Sequence, residues 1–496
     1  MDNQPTISSG KAGLIACLFL LSATALIAQN NSWLTSEKLK KAYDHCLNLN
    51  LNEARAILRG EPQSPEALTI LSFADATELL ITEDQSLFDS FEEAYEERVG
   101  ILRQTSPATE KSLIALAEIR LQWAFVFLKY GKEFTAAWNV RQSYLVAHEC
   151  RKKFPASVPI LKTTGVLEVM LGTIPEKYQW VLNLLGMKGS VDAGLEQLRK
   201  VEAENGPTAF ESRLLLLLID GFILQQTDSA VHGIEQLHYS YPDNRLLLFL
   251  GASLAIKNSM SEMAMNMLEK LKSMDRGLPV YYADYLLGEV YLHQGNHTKS
   301  IQVYQEFIKE YKGKNFIKDA YYKIGLCYWL THRSEESMKY YDLARASGRE
   351  SAEADKYAAR ALAEGSYPNI KLARARYSTD GGYYNEAFRT LMSVKQDELV
   401  TKKDQVEYTY RLARLYHKTD DLANARKYYL ETIERAQLEP WYYAPNACLQ
   451  LGYLYSADGQ TEQAKRYFSK ALSYKKHEYK NSIDSKAKSA LSQLKK

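Results

Sequence analysis

From residue 282 onward the apolar positions follow one recurring plan. Four stretches, YLLGEVYLHQGNHTKSIQVYQEF, YKIGLCYWLTHRSEESMKYYDLA, YRLARLYHKTDDLANARKYYLET and LQLGYLYSADGQTEQAKRYFSKA, align without gaps. Each carries an aliphatic residue followed by a small one: Leu287-Gly288, Ile324-Gly325, Leu412-Ala413 and Leu451-Gly452. Three residues later stands Tyr291, Tyr328, Tyr416 or Tyr455; twelve after the small residue comes Ser300, Ser337, Ala425 or Ala464; sixteen after it comes Tyr304, Tyr341, Tyr429 or Phe468. The spacing predicts two antiparallel helices per stretch, pressed together where both carry small residues, with the large rings filling the space between pairs. The turns fall at HQGN, THRS, KTDD and ADGQ, all polar and two containing glycine. A single pair cannot bury its apolar face, so the pairs must stack.

These four segments resemble tetratricopeptide repeats. Upstream the pattern loosens: RARYSTDGGYYNEAFRTL around Ala387, LFLGASLAIKNSMSEMAMNMLEKL, and LNLNLNEARAILR near Ala54 read as degenerate units. Ser64-Pro65 marks a helix start, and Pro155, Pro159, Pro207 and Pro242 stand between helices. The expected fold is all-α: a right-handed α-solenoid of stacked antiparallel helix pairs with a central helical insert. A signal peptide over 1–28 precedes degenerate repeats over 29–275 with the insert at 165–190; repeats over 276–480 and a capping helix over 481–496 follow. A bend is expected near 365–382, where EGSYPN and DGG cluster, and no strand-like alternation of useful length is present.

The segment from Phe134 to Leu198 resembles the central core of the tetratricopeptide repeat protein 39 family, which includes the fungal inclusion-body-clearance and outer-membrane proteins. The residues that carry the likeness are Trp138, Arg141 and Tyr144; Gly165; Ile174-Pro175; Gly186-Met187-Lys188-Gly189; and Gly194-Leu195. Met187 departs from the aromatic residue usual there, and a signal peptide departs from the intracellular setting of eukaryotic members. Tyr178 to Met187 is polar only at Gln179 and Asn183. The resemblance implies that this helix is an insert with protein on most of its surface, and a helix apolar nearly all round is normally buried. Membrane contact through Tyr178, Trp180 and Leu184 is the alternative.

With 62 basic and 60 acidic residues the net charge is +2, which gives no electrostatic case for nucleic acid. Lys11 precedes an apolar run from Ala12 to Ala28 and then QNNS, the pattern of a cleaved export signal; an uncleaved anchor is the alternative. LIAC resembles a lipoprotein box, but the apolar run continues well past Cys17, where lipidation would end it. The chain is therefore expected to be exported to the periplasm or the outer-membrane periphery of a Gram-negative bacterium. Cys46, Cys150, Cys327 and Cys448 are too scattered for a disulfide framework.

No catalytic signature is present: no phosphate loop, dinucleotide fingerprint, nucleophile elbow, His-Glu-x-x-His or Cys-x-x-Cys. His293 and His297 are four apart, but Gly295 places them across a turn and no third ligand accompanies them. The expectation is a non-enzyme without metal or cofactor. Repeats of the resembled kind bind ligands in the groove lined by their first helices. Aligning on that repeat puts Tyr282, Tyr285, Glu289, Asp319, Tyr322, Trp329, Glu407, Tyr410, Arg414, His417, Asn446 and Tyr453 on the lining. Such a tyrosine-rich, mixed-polarity wall suits a protein or peptide partner. A membrane-associated carrier or docking protein that uses the 174–187 helix is the alternative.

Overall fold

The structure is a computed structural model that describes residues 33–34, 36–61, 63–174, 179–206, 208–224, 226–365 and 367–494. The expected signal peptide lies outside these residues, as do Pro175, Tyr178 and Pro207. The described residues hold helices and no strand.

Six pairs come first. They are α1 (Glu37–Leu47) with α2 (Leu51–Leu58), α3 (Pro65–Thr82) with α4 (Gln85–Gln104), and α5 (Glu110–Lys129) with α6 (Glu133–Lys153). Next, α7 (Ile160–Gly172) pairs with α9 (Val191–Ala203) around the short α8 (Gln179–Leu184). Then α10 (Ala209–Leu218), which ends in a π-helical turn, pairs with α11 (Thr227–Ser240), and α12 (Arg245–Lys257) with α13 (Ser261–Lys272). Five more follow: α14 (Tyr282–Gln294) with α15 (His297–Glu310), α16 (Ile317–Leu330) with α17 (Ser334–Ala346), α19 (Ile370–Gly381) with α20 (Tyr384–Met392), α21 (Lys402–Lys418) with α22 (Leu422–Ala436), and α23 (Tyr443–Ala457) with α24 (Thr461–Ser473). The helix α18 (Glu353–Glu364) stands alone between pairs, and α25 (Lys480–Gln493) closes the series, burying Ile483, Ala487 and Ala490.

One spacing rule builds eight of these pairs. A small residue on the first helix is followed seven positions later by a residue with left-handed backbone and twelve later by a second small residue. The sets are Ala42/Leu49/Ala54, Ala124/Gly131/Ala136, Ala252/Ser259/Ala264, Gly288/Gly295/Ser300, Gly325/His332/Ser337, Ala375/Gly382/Ala387, Ala413/Asp420/Ala425 and Gly452/Gly459/Ala464. The middle residues have φ from 56° to 86°, the conformation that ends one helix and redirects the chain into the next. Glycine is required where the first helix meets a ring: a Cβ on Gly288 would lie 2.7 Å from the Tyr304 ring, and one on Gly325 or Gly452 would lie 2.5 Å from Tyr341 or Phe468. The tyrosines three residues after the small position stack on second-helix tyrosines: Tyr328 on Tyr340, Tyr416 on Tyr428 and Tyr455 on Tyr467.

The α7/α9 pair uses the same contact with a lengthened turn. A Cβ on Gly194 would lie 2.5 Å from the Gly165 carbonyl, so two glycines let the backbones touch. Here 29 residues separate the two small positions instead of 12, and the extra length is the segment that carries α8.

Several first helices pack on first helices, as α1 on α3, α3 on α5 and α19 on α21, and distant turns also meet. The Leu278 N–H donates to the Leu49 carbonyl at 2.7 Å, and Glu83 is held by Lys129 at 2.6 Å and by the Asn315 amide at 2.9 Å. After the lone α18, α19 packs against both α16 and α14. Gly381 permits this: a Cβ there would collide with that of His293. Apolar packing is unequal along the chain. One continuous core runs from Trp33 to Ala354, whereas the remainder is divided among four smaller clusters.

Candidate functional site

The inner positions of the C-terminal repeats come from α14, α16, α21 and α23, and the winding places α19 against three of these helices, α14, α16 and α21. This backfolding decides how open the wall is. The Tyr285 hydroxyl donates to Asp319 at 2.5 Å, and the Lys323 ammonium donates to Glu289 at 2.7 Å and to Tyr285 at 3.1 Å while lying 3.0 Å from Asp319. Burial alone would pull the Lys323 ammonium down, but Asp319 and Glu289 outweigh it and hold it well above its ordinary value. Glu289 is pushed up by burial, yet Lys323 and then His293 bring it below the usual glutamate value. Next to this nest, His293 is buried with Nδ1 3.0 Å from the Ser261 hydroxyl, and burial lowers its pKa, so the ring is neutral at neutral pH.

The chain of polar groups continues into α19. Asp380 lies 3.7 Å from the Arg376 Nε and accepts from Arg414 at 3.4 Å, and Arg376 donates to the Tyr357 hydroxyl at 2.9 Å. Asp355 of α18 accepts the N–H groups of Phe316 and Asp319 at 2.7 and 3.0 Å, capping the start of α16. Glu407 pairs with Arg411 of the same helix, and Tyr410 is enclosed by Tyr429, Tyr442 and Tyr443.

The twelve residues expected on an open groove therefore divide. Tyr285, Asp319, Tyr322, Tyr410, Arg414 and Asn446 are buried among their own neighbours, which corrects the expectation that they face a ligand. Tyr322 stacks on Tyr341, and the Asn446 side-chain carbonyl accepts from Gln450 at 3.1 Å. Tyr282, Glu289, Trp329, Glu407, His417 and Tyr453 remain half-exposed. Among these, Trp329 is stacked under Tyr367 at 4.3 Å and its Nε1 donates to the Pro368 carbonyl, so the α18–α19 loop covers part of it. His417 contacts the Tyr429 hydroxyl at 3.1 Å, and Tyr453 packs edge-on against Phe468. Sequence spacing placed these residues on one face of successive first helices. It could not reveal that Asp355, Arg376 and Asp380, from helices outside the aligned stretches, would fill that face.

The opening in the α7/α9 turn also differs from expectation. Leu182 and Met187 are buried in the main core, but Trp180 and Leu184 are exposed. The helix is not wrapped on most of its surface because α8 is only six residues long, hung on an extended turn, and one side alone reaches the core. The glycines of this region serve the close approach of α7 to α9: a Cβ on Gly172 would lie 2.8 Å from the Val191 nitrogen, and one on Gly189 would collide with Leu171.

Chemically, the inner network neutralises charge rather than activating a group. The four described cysteines are free and buried, and burial pushes the Cys327 thiol up to about 12, far from a nucleophilic thiolate. Among the described residues no cluster of His, Cys, Asp and Glu has the geometry to hold a metal, and no helix is long and apolar enough to cross a membrane.

Comparisons with known proteins agree with the repeat architecture. Residues 160–278 match the family described as Iml2/Tetratricopeptide repeat protein 39. Residues 282–313, and then 318–344, 406–437 and 445–478, match tetratricopeptide repeat families. The C-terminal half thus consists largely of tetratricopeptide repeats, and the segment before it is similar to the Iml2 group. Trp138, Arg141 and Tyr144 lie ahead of that match. No curated protein matches the chain. Among solved structures, the human IFIT1 dimer with PPP-AAAA is 14% identical over 94% of this chain and 99% of that one, with a TM-score of 0.32. The APC/C hetero-tetramer Cut9-Hcn1 is 11% identical over 93% and 97%, with a TM-score of 0.27. The P58(IPK) TPR domain is 16% identical over 86% and 99%, with a TM-score of 0.23.

Proposed function

We propose that this chain is an exported interaction scaffold that holds a protein or peptide partner along the inner edge of its C-terminal repeats. Tetratricopeptide repeats are protein-binding modules as a class, and the fold is typically non-enzymatic, which supports the general reading. The observation that carries the finer one is the recurrence of half-exposed amphipathic side chains on successive first helices. These are Tyr282 and Glu289 on α14, Trp329 on α16, Glu407 and His417 on α21, and Tyr453 on α23. Rings with one wet edge and charges with one open side contact a partner at low cost in side-chain entropy. The buried network behind them fixes their positions before binding, which limits the ordering penalty.

The Lys11-led apolar run ending at Ala28 supports export, and with it the reading of a scaffold in the periplasm or at the outer-membrane periphery. The test combines both points. A photo-crosslinking residue is placed at His417 or Tyr453, and at exposed Val400 as the control, in the native cells. The expected result is one recurrent protein attached at the inner positions, absent at Val400, on a chain whose N-terminus is Gln29. A scatter of proteins equal to that from Val400 contradicts the scaffold, and a retained N-terminal run contradicts the cleaved signal.

A further inference from the structure

Among the described residues, a group of exposed large apolar side chains lies away from the repeat groove. On α6, Phe134 is 94% and Trp138 57% exposed, with Leu145 open further along, and in the neighbouring α8 segment Trp180 is 65% and Leu184 77% exposed. At 100° per residue, positions 134, 138, 141, 145 and 152 fall within about 40° of one line along α6. The Lys188 N–H donates to the Tyr144 hydroxyl at 3.3 Å, which ties the end of the α8 segment to α6 one residue from Leu145. The chain has six tryptophans, and the two most exposed ones, Trp138 and Trp180, both lie here; Trp33 and Trp123 are buried and Trp329 and Trp441 half-buried.

Charge tells what covers this face. Arg141, half-buried, stands in the apolar line between Trp138 and Leu145; among the described residues it makes no ion pair, and its Nε is buried without a hydrogen-bond partner. Lys188 is exposed beside it, and α6 ends in exposed Arg151 and Lys152. The nearby carboxylates are already engaged or turned aside. Glu149 pairs with Lys153, Glu168 accepts the Ser190 N–H, and Glu133 lies a quarter turn off the line. The result is a strip of tryptophan, phenylalanine and leucine flanked by cations that make no ion pair among the described residues.

We propose that this strip is a docking surface for an anionic lipid bilayer, with the rings at the headgroup boundary and Arg141, Lys188 and Lys152 against lipid phosphates. Indole and phenyl rings partition into that boundary, and each nearby cation adds attraction to anionic headgroups. A soluble helix as occupant would bury the rings equally well but gives no account of the unpaired cations spread along the strip. The surface is separate from the repeat groove, so either proposal can fail without the other.

The test uses the chain from Gln29 onward, which contains every described helix, so that the apolar run before it cannot insert. Binding is measured by co-sedimentation and by the tryptophan emission shift on phosphatidylcholine vesicles containing one third phosphatidylglycerol, against pure phosphatidylcholine. The wild type is expected to bind the anionic vesicles with a blue shift, and about tenfold more weakly when the anionic lipid is omitted. Trp138→Ser with Leu145→Ser, and separately Arg141→Glu with Lys188→Glu, each weaken binding about tenfold or more, whereas Leu438→Ser, at an exposed leucine elsewhere, leaves it unchanged. The charge-reversed pair keeps the test decisive if the apolar variant folds poorly. Wild-type binding that ignores phosphatidylglycerol, or variants that bind like the wild type, would overturn the proposal, as would a soluble partner seated on the strip in place of lipid.

Discussion

Lys162 in the N-terminal region and Lys323 in the C-terminal repeats occupy nests of the same kind. Lys162 lies against Glu118 and, at 3.0 Å, Glu211, which also accepts from the Tyr43 hydroxyl; Lys323 lies between Asp319 and Glu289, with Tyr285 donating to Asp319. Both lysines are drawn down by burial and raised further by their carboxylates. The surroundings differ. The Lys162 nest lies wholly inside the core that runs from Trp33 to Ala354, and burial there raises the Glu211 carboxyl well above its ordinary value although Lys162 draws it down. The Lys323 nest touches the same core through Tyr285, Ala320 and Ile324, but it also opens into His293, Asp380, Arg376 and Arg414, and so joins that core to helices whose apolar clusters are separate. One region is held by continuous apolar packing with a polar island in it. The other is a row of small cores joined by a polar chain.

The largest effect that would break this contrast comes from removing each lysine. Lys323→Met and Lys162→Met both strand buried carboxylates, at a cost of about 3–5 kcal/mol. Lys162→Met should lower a single transition for the N-terminal body. Lys323→Met should split thermal unfolding into two steps, because it cuts the polar link between the main core and the smaller C-terminal ones, and calorimetry distinguishes the two. A single undivided transition in both variants would remove the distinction.

Next comes Gly325→Leu. Its side chain would enter the space of the Tyr341 ring and approach the Ser337 carbonyl, forcing α16 from α17 at a cost of about 3 kcal/mol, the upper end for overpacking. The expected readout is faster amide exchange across residues 317–346 with the N-terminal body unchanged. Smaller again is a pH effect. Burial pushes Asp355 from 3.8 up to about 7, although the Phe316 and Asp319 N–H groups pull it down. The folded chain holds this proton more tightly than the unfolded one, so the contribution is full below about pH 4 and is lost as pH rises through about 7. Asp355→Asn should flatten the difference in urea midpoint between about pH 5 and pH 8 relative to the wild type. Least of all, His417→Ala with Tyr453→Ala should change stability by about 1 kcal/mol or less while reducing partner crosslinking. Tyr322 is not suited to that purpose, since its ring is buried on Tyr341 and truncation would damage the fold.

The helix pairs were legible because small residues, left-handed turns and rings each leave a mark at a fixed distance. Where the mark was glycine or tyrosine, as at Gly288 and Tyr304, the unit stood out. Where alanine and an aliphatic residue served, as at Ala124, Ala136 and Val140, the same geometry was hidden in ordinary helix composition. The turn at Leu49 uses a left-handed residue that no propensity would suggest. The site was less legible. Periodicity places Tyr285 and Asp319 on the inner face, but only the winding that brings α19 onto α14 determines that the face is filled from across the superhelix. The α8 segment misled for a related reason, since an apolar helix reads as buried whether a second wall stands over it or solvent does.

The most direct test of two differently held regions is native-state hydrogen exchange by mass spectrometry on the wild-type chain under rising denaturant. The expected result is that α21–α25 open together as a unit at lower denaturant than α1–α13, which share one opening transition. Uniform protection from α1 to α25, lost in one step, would contradict it.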